Sequence, residues 1–121
     1  MKILFYLFFL PLSIFCQEKI EFISGNPFSF KDIITNLDKQ EKQKVYGILR
    51  FPKSDSINNQ YPLIIAVAGS EGWADHHYEY LKMYRELGIA TLELASFKSR
   101  GVNSTVGTQT RVTTAMMILD S

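Results

Sequence analysis

The chain has one cysteine, one tryptophan, four prolines and two histidines in 121 residues. A single cysteine cannot form an intrachain disulfide. Cys16 also falls at the end of an apolar leader, so its removal leaves neither a disulfide nor a thiolate metal site in the mature chain. The histidines, His76 and His77, are adjacent. Neighbouring helix residues point in different directions, so Asp75-His76-His77 reads as a solvated helix start rather than a metal centre. No charge of either sign dominates: 13 basic and 12 acidic side chains leave a net charge of +1. Without a basic stripe there is no footing for nucleic acid. No apolar run approaches the roughly 20 residues needed for a membrane-spanning helix, and no internal repeat is visible. What remains is a composition 46% hydrophobic and 21% charged, that of one small folded domain.

The first residues, MKILFYLFFLPLSIFC, have the layout of a secretory signal. Lys2 supplies the positive start, Ile3 to Leu10 the apolar centre, and polar residues begin at Gln17. The chain therefore divides into an export signal at 1–16, a poorly defined segment at 17–44, and an α/β region at 45–121. Within the second, IEFIS reads as a short strand, Ser24 to Pro27 as a turn, and Asp32 to Leu37 as one helical turn. KQEKQK (Lys39 to Lys44) reads as a solvated charged stretch.

The third part is more regular. VYGILRF (Val45 to Phe51) is rich in β-formers. After a polar loop, LIIAVAG is apolar without alternation, the expected pattern of a strand buried on both faces of a mainly parallel sheet. Asp75 is placed to cap a helix in which Tyr80, Leu81, Tyr84 and Leu87 recur at helical spacing, and Gly88 ends it. IATLEL is the next strand, completing a right-handed β–α–β crossover. A polar loop, ASFKSRGVNSTVGT, leads to Thr108, which caps a last helix with Val112, Ala115, Met116 and Leu119 on one face.

The crossover opens on Ala68-Gly69-Ser70-Glu71-Gly72-Trp73, and three kinds of site are built on such a turn. A dinucleotide fingerprint needs three glycines, G-x-G-x-x-G. Here two are present and Trp73 adds bulk, with Glu93 as the only candidate for the ribose-binding acid. A nucleophile elbow, small-x-Ser-x-Gly, would make Ser70 the nucleophile. Only one clear strand precedes it, however, and neither histidine is placed to return to it. An oxyanion loop needs no particular side chain, only main-chain N–H groups aimed where a carbonyl oxygen becomes negative. Ser70 and Glu71 are the donors on this reading, with Gly69 and Gly72 permitting the dihedrals. Trp73 and the tyrosines at 78, 80 and 84 are assigned to packing, and Arg100 to a solvated loop.

Three segments, VYGILRFP, PLIIAVAGSEG and YLKMYRELGIATLELASF followed by R-G-V, together resemble the N-terminal half of an α/β-hydrolase of the dienelactone hydrolase type. That family commonly reads G-x-L-x-x-P, then H-G-S-x-G, then L-A-x-x-G-(Y/I)-A and D-S-F-x-x-R-G. Ala68 and Ala95 depart from the histidine and aspartate usual at their places. The resemblance implies a partial α/β-hydrolase fold with a mostly parallel sheet and flanking helices, breaking off before the elbow. It implies hydrolysis of a small-molecule ester or lactone through an acyl-enzyme, with no metal or organic cofactor. It puts Ser70 and Glu71 on the oxyanion loop, and puts nucleophile, acid and histidine beyond the helix near Gln109. The chain is accordingly expected to be an exported fragment, inactive alone, whose missing half a complementing chain could supply. A noncatalytic secreted binding or assembly module and a nucleotide-binding domain are the alternatives.

Overall fold

The computed structural model describes residues 17–53 and 60–121, and the expected export signal lies outside them. Nine elements follow in order: β1 (Gln17–Gly25), α1 (Phe30–Thr35), a 3₁₀ turn (Leu37–Lys39), β2 (Lys42–Arg50), β3 (Leu63–Ala66), α2 (Asp75–Glu86), β4 (Ala90–Leu94), a second 3₁₀ turn (Lys98–Arg100) and α3 (Thr114–Asp120).

The four strands form one sheet in the order β1-β2-β4-β3. The expectation of a mostly parallel sheet is overturned. Strand β2 is antiparallel to both β1 and β4, and only β3 and β4 are parallel. One cause is the segment 17–44, which the sequence left poorly defined beyond a short strand at IEFIS. It supplies a nine-residue strand that lies along the whole of β2, from Gln17 opposite Arg50 to Gly25 opposite Lys42. Antiparallel neighbours need no crossover, and the only crossover connecting paired strands here is the helix α2 between β3 and β4. Lys42 and Lys44, expected in a solvated stretch, are the first residues of β2, and their side chains face water.

Registered pairs assign the two faces. Phe22, Val45, Gly47 and Leu94 share one face with Leu49, Leu92, Ile65 and Leu63. Ile48, Arg50, Thr91 and Glu93 share the other. Helix α2 covers the second face: Arg85 reaches Thr91 Oγ1 at 2.9 Å and Glu93 at 3.7 Å. Glu93 is buried and also receives Arg50 Nε at 2.8 Å, so the candidate ribose-binding acid is instead spent on two arginines beneath the helix.

Helix α3 lies toward β1 on the first face, over a core of Phe97, Val102, Val112 and Met116. It begins later than expected. Thr113, not Thr108, is its cap, accepting from the Met116 amide at 3.2 Å and donating to the Pro27 carbonyl at 2.9 Å. Of the anticipated face, Ala115 and Met116 are buried and Leu119 is half-buried, while Val112 is buried but precedes the helix. Arg100 is not a solvated loop residue. Its guanidinium binds both oxygens of Asp120, at 2.7 and 3.0 Å, and the carbonyls of Gly25 and Ser96. Side-chain exposure is 5% for Arg100 and 0% for Asp120. Ser24 Oγ donates to the same carboxylate at 2.6 Å, and Asn26 Oδ1 accepts from Arg100 Nε. Removing one partner of so buried a pair leaves an uncompensated charge, at a cost of about 3–5 kcal/mol.

The reading of LIIAVAG as doubly buried is also overturned. Strand β3 is the sheet edge, and Leu63 and Ile65 are 50% and 42% exposed because no described element covers that end of the first face.

Candidate functional site

The β3-to-α2 connection leaves the carboxyl end of β3, beside the carboxyl end of β4. Its turn is closed by the Gly72 amide donating to the Gly69 carbonyl at 2.9 Å. The next carbonyl is held more firmly: Ser70 O accepts from the Thr105 amide at 2.8 Å, Ser104 Oγ at 3.1 Å and Thr105 Oγ1 at 3.3 Å. Gly72 adopts φ +85°, and a Cβ there would come within 2.6 Å of the Asn103 carbonyl. The turn is thus pinned to residues 103–105, within the loop that reads as polar in the sequence. The amides of Ser70 and Glu71 donate to no acceptor among the described residues, and both residues are solvent-exposed. Carbonyls tied inward and adjacent amides left free is the arrangement an anion-facing turn requires.

The start of α2 is anchored from the same side. Trp73 Nε1 donates to the Leu94 carbonyl at 3.0 Å, so the helix entry is tied to the end of β4. The indole stacks on Tyr78 at 5.6 Å and meets His77 edge-on at 5.7 Å. Asp75 is not the cap. Ala74 takes that position, and its amide donates to His77 Nδ1 at 3.0 Å, while Asp75 puts a negative charge in the first turn. His76 and His77 have ring centroids 4.0 Å apart, and no group of three or more metal-binding side chains exists among the described residues. Neither imidazole is hydrogen-bonded to Ser70 among the described contacts, so the structure does not bring together the serine and base that an elbow would need. The tyrosines assigned to packing are exposed: Tyr78 stacks on Trp73 but is as open to solvent as Tyr84, Tyr80 is more so, and Leu81 is the one buried residue of α2.

Behind the turn is a narrow cleft lined by Ala68, Gly72, Trp73, Ser96, Asn103 and Met117, among others. It offers ≈ 30 Å³ to molecules of water size, room for about two waters. Ordinary small-molecule sites enclose roughly 300–1,000 Å³, so the cleft by itself is too small for one. Ala68, where the resembled family has histidine, opens onto the cleft. Ser70 and Glu71 stand at the turn and do not line it. The part of residues 103–105 in holding the turn was not legible in the sequence, since it depends on contacts 31 to 35 positions away in the chain.

No family model, no curated protein and no solved structure matches the chain.

Proposed function

We propose that the Gly69–Gly72 turn is an oxyanion loop in an exported protein that hydrolyses a small-molecule ester or lactone, as the dienelactone hydrolase-like motifs suggest. The nucleophile, acid and histidine belong to polypeptide outside residues 17–121. One observation carries this reading: a turn whose carbonyls are engaged and whose Ser70 and Glu71 amides are free, set at the carboxyl edge of the parallel pair. It gains support from position, because in such enzymes one oxyanion N–H comes from the loop between the third strand and the following helix. The turn here follows β3 and opens α2.

The test is hydrolysis of 4-nitrophenyl acetate by the longest polypeptide that the gene encodes. Replacing the Glu71 or Ser70 amide N–H with an ester oxygen should lower kcat about 100-fold at one of the two positions, the usual loss for one oxyanion donor. Ser70→Ala should leave kcat within about twofold. Full activity with both amides replaced, or abolition by Ser70→Ala, would overturn the proposal, the second result in favour of an elbow.

The second reading, a noncatalytic secreted assembly module, is favoured by the uncovered apolar side chains of β3. It predicts no hydrolysis by any length of the chain and a defined oligomer instead.

A further inference from the structure

We infer that His77 is a pH-responsive latch on the start of α2, holding the backbone that follows the Gly69–Gly72 turn while its imidazole is neutral and releasing it on protonation. The Ala74 amide donates to His77 Nδ1 at 3.0 Å. An imidazole nitrogen accepts only when it carries no proton, so this contact requires the neutral ring with its proton on Nε2. In the usual capping box, a glutamate or glutamine at this third helical position reaches back to the N-cap amide. Here a histidine does so, and Ala74 has no side chain to complete the box in the other direction. Among the described residues, no other side chain caps the start of α2.

The other ties on this stretch do not titrate: the Ser70 carbonyl accepts from the Thr105 amide, and the Trp73 indole donates to the Leu94 carbonyl. Protonation of Nδ1 turns the acceptor into a donor facing another donor, so the Ala74 amide loses its partner. A cation in the first turn of a helix is also opposed by the helix dipole. His76 stands with its ring centroid 4.0 Å away, so a charge on either imidazole opposes a charge on the other. Asp75 lies in the same first turn, and Glu71 precedes the helix. From β4, Glu93 is taken by Arg50 and Arg85, and beyond that strand Lys98 lines the cleft beside Trp73. None of these groups forms a hydrogen bond or ion pair with His77 among the described residues. The hold is therefore present when the ring is neutral and is lost as pH falls, whether or not the turn serves an oxyanion.

The experiment is amide exchange of the full chain, followed by NMR at about pH 8 and about pH 5, the span in which imidazole charge changes. Each rate is taken relative to an unstructured peptide at the same pH. Protection of the Ala74 amide should fall about fivefold at the lower pH, the weight of one neutral hydrogen bond. Protection of the Thr105 amide, which donates to the Ser70 carbonyl, should stay constant, and this separates the latch from general acid unfolding. His77→Asn keeps an oxygen acceptor that does not titrate, so its Ala74 amide should be protected equally at both pH values. His77→Ala should show the low value at both, and His76→Gln should respond to pH as the wild type does. Constant protection of Ala74 in the wild type, or an equal fall at Thr105, would overturn the inference. So would a pH response that persists in His77→Asn or vanishes in His76→Gln, since either assigns it to another group.

Discussion

Gly69 and Gly72 bracket one turn, and residue by residue their demands differ. Gly69 has open space where a Cβ would go, whereas Gly72 combines φ +85° with the Asn103 carbonyl 2.6 Å from that point. Strain and collision act together only at Gly72, and a non-glycine residue forced into such a backbone region costs on the order of 1–3 kcal/mol before any clash. Gly72→Ala should therefore lower the urea midpoint clearly, and Gly69→Ala should leave it nearly unchanged. Equal losses would mean that the turn is not held against residues 103–105. From the sequence, the pair looked equivalent, because the carbonyl that distinguishes them comes from 31 positions away in the chain. Arg100 was hidden by the same kind of distance. Its local motif, R-G-V in a polar loop, says solvent, and only the arrival of Asp120 and Gly25 makes it a buried tie.

Among the elements, legibility followed period and length. Strands β2, β3 and β4 and the helix α2 were all placed from β-former runs and the 3.6-residue spacing, to within a few residues. Their environments were less readable. A run such as LIIA looks the same at an edge as in a sheet centre, and Tyr80 and Tyr84 of α2, with Leu87 just past its end, face water while Leu81 alone is buried. Strand β1 was only partly read because charge interrupts it, yet that charge is what its outer face uses. Glu21 lies 2.7 Å from Lys19 Nζ and 2.5 Å from Lys44 Nζ across the β1–β2 pair. Hydrogen bonds from Lys19 and then Lys44 hold its carboxyl well below the usual carboxylate range, at about 2. Because the folded-state value is depressed, the stabilisation is fully present above the ordinary carboxylate range and is lost as pH falls toward 2. The pair is exposed, so salt screens it and the contribution is small. Carboxyl NMR at low ionic strength should show Glu21 titrating well below the ordinary glutamate range, with the gap narrowing in about 1 M salt. An ordinary titration at low salt would show that the two lysines do not converge on it in solution.

For the whole molecule, the decisive asymmetry lies between the two faces of the sheet. Helix α2 closes one face over β4, and α3 closes the other only toward β1, leaving Leu63 and Ile65 bare beside half-buried Leu49 and Leu92. Strand β3 is also an open edge, and its sequence, LIIA, carries none of the charges or prolines that protect natural edges. An unpaired edge and an uncovered apolar face at the same place favour addition of another strand. The described residues alone should therefore self-associate through β3. Sedimentation velocity is expected to show concentration-dependent species at concentrations on the order of 100 µM. Ile65→Lys puts a charge on the bare face without touching the α2 side, so it should restore the monomer and leave the circular dichroism spectrum unchanged. The same charge placed at Tyr80, on the exposed outer side of α2, should have no effect, which separates a β3 contact from general stickiness. A wild-type chain that stays monomeric, or a Tyr80→Lys variant as effective as Ile65→Lys, would show that this sheet tolerates its bare end. That outcome would remove the chief support for an assembly module while leaving the oxyanion loop untouched.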